Sequence, residues 1–89
     1  MEGRAFRVRG RVQGVGFRWW ARGKAREFGL VGWIRNCPDG SVEVHAHGSP
    51  SSLDALRSAL QIGPPGAIVT GIDEEPLDAE APADFEIRR

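Results

Sequence analysis

The stretch Val12-Gln13-Gly14-Val15-Gly16-Phe17-Arg18 decides how this chain of 89 residues is read. Before it, Phe6, Val8, Gly10 and Val12 alternate with Arg7, Arg9 and Arg11, the period of a half-buried strand. After it, Phe17, Trp20, Ala21, Ala25 and Phe28 recur at the spacing of one helix face, with Arg22, Lys24 and Arg26 off that stripe. The stretch is therefore a strand-to-helix turn. Gly14 and Gly16 permit positive φ, so successive N–H groups can point into one hollow. Such a hollow at a helix N-terminus suits an anion. Arg18, in the first helical turn, can fork two oxygens of a phosphate. Gln13, Gly14, Val15, Gly16, Phe17 and Arg18 are thus the candidate phosphate-binding loop.

Working outward, Gly29 is placed to end the first helix in a left-handed cap. Leu30 to Asn36 reads as a second strand. Val42, Val44 and Ala46, alternating with Glu43, His45 and His47, read as a third, joined to it through the turn Pro38-Asp39-Gly40-Ser41. Ser49 is an N-cap with Pro50 in the first helical position, and Leu53, Leu56 and Leu60 form the buried stripe of that second helix. Gly63-Pro64-Pro65-Gly66 stops it. A fourth strand is expected over Ala67 to Asp73, with Glu74-Glu75-Pro76 marking its edge, and a short alternating strand over Asp84 to Arg89. No repeat or long linker divides the chain, so residues 1–89 read as a single domain. Neither helix can bury its stripe alone. Both are therefore expected on one face of a mostly antiparallel sheet, giving an α+β, ferredoxin-like βαββαβ sandwich with an added C-terminal strand. A fold of this kind does not specify a function.

Composition narrows the classes. Hydrophobic residues make up 40% and charged residues 27%, as in ordinary globular domains. No apolar run approaches a membrane span, and the N-terminus lacks the apolar region of a signal peptide, so no membrane partner is expected. The lone Cys37 excludes an internal disulfide and fits a reducing cytoplasm. Net charge is zero, yet residues 1–36 hold nine Lys and Arg against two Asp and Glu, and residues 37–89 hold three against ten. That segregation suggests a local anion-attracting surface rather than a wholly basic nucleic-acid binder.

A second polar residue stands out. Asn36 closes Gly32-Trp33-Ile34-Arg35-Asn36 just before the hairpin turn, and its carboxamide, both donor and acceptor, can hold a water with a lone pair aimed at a target. Taken singly, an asparagine here is more commonly a turn starter. Together, Gly10-Arg11-Val12-Gln13-Gly14-Val15-Gly16-Phe17-Arg18, Gly32-Trp33-Ile34-Arg35-Asn36, Asp39-Gly40 and Phe85-Glu86-Ile87-Arg88 resemble the acylphosphatase family along essentially the whole chain. The resemblance implies hydrolysis of a small acyl phosphate to a carboxylate and inorganic phosphate, without metal or cofactor. It also implies that Arg18 and the loop amides bind the phosphoryl group while Asn36 positions the attacking water. A monomer is the expected state.

The chemistry is consistent with that reading. A loose phosphoryl-transfer transition state needs positioning and charge stabilisation more than covalent catalysis. The carboxylate leaving group, whose acid has a pKa of roughly 4 to 5, departs unprotonated and needs no general acid. A phosphate monoester, with a far more basic leaving group, should be a poor substrate. Several family members have threonine where this chain has Cys37, so Cys37 is given no catalytic role.

Other residues receive plainer readings. His45 and His47, two apart on one strand face, have only Glu43 as a nearby third ligand, and a solvated strand face is expected rather than a metal site. Arg4, Arg7, Arg9, Arg11, Arg22, Arg26 and Arg35 are read as solvated, Trp20 and Trp33 as core. Trp19, off the helix stripe beside Arg18, is a candidate for the acyl side of the substrate or for packing on a loop. RNA-recognition domains share this element order and Gly14-Val15-Gly16-Phe17 faintly resembles part of their signature, so an RNA-binding or small-ligand-binding module is the rival. That signature belongs on a third strand bearing aromatics, and Ser41 to His47 has no Phe, Tyr or Trp, so no nucleic-acid partner is expected.

Overall fold

A computed structural model describes residues 1–89. The elements run β1 (Glu2–Arg11), α1 (Phe17–Glu27), β2 (Val31–Asn36), β3 (Val42–Gly48), α2 (Pro50–Ile62), β4 (Ile68–Pro76) and β5 (Phe85–Arg88). The sheet order is β4-β1-β3-β2-β5, antiparallel except where β5 lies parallel to β2. This is the ferredoxin-like α+β sandwich expected from the pattern. Its core gathers Phe6, Val8 and Val12 from β1 and the turn after it, Ile34 from β2 and Val42, Val44 and Ala46 from β3. Phe17, Ala21 and Ala25 of α1, Leu30 just before β2, Leu53, Leu56 and Leu60 of α2, and Phe85 of β5 complete it.

Local signals act where the sequence put them. Gly29 takes φ 73 behind α1. Ser49 caps α2, its side chain accepting from the Ser52 amide, with Pro50 beginning the helix. β4 runs further than expected, through Glu74, Glu75 and Pro76, because these residues still pair with Phe6, Ala5 and Arg4 of β1. An edge strand tolerates proline, whose missing N–H costs no ladder bond on the open side.

One consequence of the strand order builds the site. β1 and β2 both run antiparallel to the intervening β3, so their C-terminal ends meet at the same edge of the sheet. Val42 pairs with Val8 on one side and with Asn36 on the other. The loop leaving β1 and the asparagine ending β2 are neighbours for that reason.

The structure corrects three expectations. Trp33 is not core: Ile34 takes the buried position, and alternation turns Trp33 to the open face, where it stacks on His45 with ring centroids 4.0 Å apart. Most of the arginines are paired rather than merely solvated. Arg4 binds Glu2 and Asp54, Arg7 reaches Asp39, Arg9 meets Asp73, Arg26 Asp84 and Arg35 Glu43. Five arginines of the basic first part thereby pair with acidic residues of the remainder, some at the sheet and some at the helices. Exposed pairs of this kind add little stability each. Nor is His47 solvated. It is 5% exposed and lies against Gly3, where any Cβ would come 2.9 Å from its Nδ1.

Burial, reinforced by His45, pushes the pKa of His47 down. A histidine with a depressed native pKa binds more protons in the unfolded chain, so its contribution is complete above the unfolded value of about 6.5 and declines as pH falls below it. Unfolding free energy measured in urea should therefore drop between pH 7.5 and 5.5, and His47→Gln should flatten that slope. An equal slope in parent and variant would show that His47 does not cause it. Asp39 and Asp84, held low chiefly by hydrogen bonds from Ser41 and from the Phe85 amide, act in a more acidic window near the carboxylate range.

Candidate active site

The loop after β1 is built by two left-handed glycines. Gly14 and Gly16 each have φ 76, and at neither would a Cβ meet any atom within 4 Å, so it is conformation and not crowding that calls for glycine. Gly16 is also the N-cap of α1, with no side-chain cap and no acidic residue in the first turn. The loop and turn bonds use none of the amides of residues 14–19 as donors. An uncapped helix start with free amides leaves partial positive charge facing the loop.

Val12, Gly14, Gly16, Phe17, Arg18, Trp19 and Asn36 enclose a cavity of about 90 Å³, several times what one water needs. The cavity lining thus brings together Gly14, Gly16, Phe17, Arg18 and Asn36 of the residues singled out in the sequence. Arg18 is half-buried and donates to the Arg88 carbonyl at 3.3 Å, which leaves most of its guanidinium unspent. Asn36 shares its strand face with buried Ile34, and its Oδ1 is buried with no hydrogen-bond partner. A buried acceptor left unpaired costs about 1–3 kcal/mol, so such a group asks for a functional account. The lining holds no carboxylate, imidazole or thiol.

Gln13 and Val15 are not part of that lining. Val15 packs against the core. The Gln13 amide reaches across to the β2–β3 turn and donates to the carbonyls of Cys37 and Ser41, at 2.8 and 2.9 Å. This brace, together with the Cys37 amide donating to the Ser41 carbonyl at 2.8 Å, fixes the loop against the strand end that carries Asn36. Glutamine inside a glycine-rich loop is the only sequence signal for it. The anchor on Arg88 has none, because it depends on β5 lying beside β2. A second hollow, about 220 Å³ on the helix-free face, is lined by Ala5, Arg7, Glu43, Asp73 and Glu75 among others, and no motif residue reaches it.

Known proteins resemble this chain in both sequence and backbone. The acylphosphatase family model matches residues 4–87. An acylphosphatase of Synechococcus sp. (strain RCC307) is 49% identical over 83 residues, covering 93% of this chain and 71% of that protein. The crystal structure of acylphosphatase from Bacillus subtilis has a TM-score of 0.96 at 36% identity, with both chains covered completely. An acylphosphatase structure from Coxiella burnetii gives 0.94 at 39% identity, covering 98% of this chain and 92% of the other. Matched in sequence from its first strand to its last and in backbone from end to end, the chain belongs to the acylphosphatase family of hydrolases.

Proposed function

We propose that this chain hydrolyses the carboxyl–phosphate bond of small acyl phosphates, releasing a carboxylate and inorganic phosphate. Arg18 and the amides of Gln13, Gly14, Val15, Gly16, Phe17 and Arg18 bind the phosphoryl group, and Asn36 positions the attacking water. The observation that carries the reading is the unpaired Asn36 Oδ1 beside free loop amides and an arginine with donors to spare. An amide oxygen accepts a hydrogen from water, turning a lone pair of that water toward phosphorus.

In the reaction, the water oxygen forms a bond to phosphorus as the bond from phosphorus to the acyl oxygen breaks. The electron pair leaves on the carboxylate, and the proton of the water passes to a phosphoryl oxygen. Arg18 and the amides stabilise charge on the equatorial oxygens throughout. Neither arginine nor asparagine needs to change protonation state. No metal or cofactor enters the scheme, and a lining without carboxylate, imidazole or thiol supports that. Residues 1–89 act as one domain and as a monomer in the cytoplasm, on a small-molecule substrate and without a nucleic-acid or membrane partner.

The test is phosphate release from acetyl phosphate before and after exhaustive chelation. Activity should persist, and a phosphate monoester should be hydrolysed far more slowly. Loss on chelation with recovery on adding one divalent ion would overturn the metal-free scheme.

A further inference from the structure

A groove of about 470 Å³ continues from the phosphate cavity along α1 and β5, and Arg18 and Trp19 line both. Beyond them it is bordered by Arg22, Arg26, Asp84 and Glu86. Arg18, Arg22 and Arg26 follow one another at four-residue intervals, so they form a row along one side of α1, roughly 6 Å per step. Their partners differ. Arg26 is held by Asp84 at 2.8 Å, and Glu86 lies 3.9 Å from Arg88. Arg22 has no carboxylate in ion-pair range. It donates to the Phe85 carbonyl at 3.3 Å and lies over the Trp19 ring at 5.2 Å. Trp19 itself is 69% exposed, a large flat apolar side chain left on the surface beside the cavity.

A half-buried arginine with no direct ion pair, felt by Asp84 only at longer range and standing one helical turn from the phosphate-binding arginine, is suited to an anion separated from the phosphoryl group by a short chain. The exposed indole supplies an apolar wall for the atoms between them. We propose that Arg22 and Trp19 form an acyl-group subsite that favours acyl phosphates carrying a second anionic group, carboxylate or phosphate, at the far end of a short acyl chain. This rests on the reading of Arg18 as the phosphoryl anchor. Arg22 touches the tail of the substrate and not the reacting atoms, so it determines specificity rather than catalysis. The interaction is made equally in ground and transition states, so it is felt in KM more than in kcat.

The experiment compares acetyl phosphate with succinyl phosphate, which carries a terminal carboxylate, on the parent protein, Arg22→Gln and Arg22→Lys. The parent should show a higher kcat/KM for succinyl phosphate. Arg22→Gln should lower the succinyl-to-acetyl ratio of kcat/KM by about tenfold through KM, the scale of one lost charge-assisted hydrogen bond. Arg22→Lys, which keeps the charge, should retain most of the ratio, whereas a merely structural arginine would leave the ratio where it was in both variants. Hydrolysis of acetyl phosphate with a ratio unaffected by Arg22→Gln would overturn the subsite alone. Failure of the parent to hydrolyse either compound would overturn the proposed function, and the subsite with it.

Discussion

Asn36→Ala should lose about a hundredfold or more in kcat on an acyl phosphate, the scale of losing the alignment of an attacking group. It should still bind inorganic phosphate as the parent does. The amides and Arg18 that hold the product do not depend on this side chain, so calorimetric titration with phosphate should give nearly the parent's affinity. The Oδ1 of Asn36 accepts no hydrogen bond from the protein, so deleting it breaks none. The unfolding midpoint should change little. A normal kcat with raised KM would instead place Asn36 in substrate binding. Normal kinetics with a lowered midpoint would leave it a turn residue.

Arg18→Lys should reduce kcat/KM by about a hundredfold while the fold stays intact. Lysine keeps the charge but presents a point donor in place of a planar fork, and a phosphoryl group that is flattening in its transition state is matched by the fork. Competitive inhibition by inorganic phosphate should weaken in parallel, because the same guanidinium holds substrate and product. Within the protein the guanidinium donates only to the Arg88 carbonyl, at 3.3 Å, so removing it should change the unfolding midpoint little. Near-parent turnover and phosphate affinity would remove Arg18 from the site.

Much of this architecture is legible in the sequence because it is written in local signals. Period-two and helical spacings, the Ser49-Pro50 start, the Gly29 stop and the paired glycines all act within a few residues of themselves, and each lies where the pattern places it. What escapes is whatever depends on which strands become neighbours. Trp33 looks like core by size, and only the buried position of Ile34 next to it turns the indole to the open face. His47 looks like part of a polar face until Gly3 pairs beside it and closes over its ring. The arginines look solvated because most of their acidic partners lie tens of residues away in sequence. In the candidate site, the glycine loop, Arg18 and Asn36 are readable as motifs. The groove beyond Arg18 is not, since its far wall comes from β5.

The two bonds from Gln13 have a bearing on how freely the chain can vary. Both acceptors are main-chain carbonyls, those of Cys37 and Ser41, and a carbonyl has the same geometry whichever side chain its residue carries. The strand end bearing Asn36 is therefore held in place without reading the chemistry at position 37. That position is buried and its thiol donates to Glu43 Oε1 at 3.9 Å, so what it must supply is volume and one weak donor. A thiol and a hydroxyl of similar size meet that demand alike, and exchange between them over generations leaves the asparagine where it is.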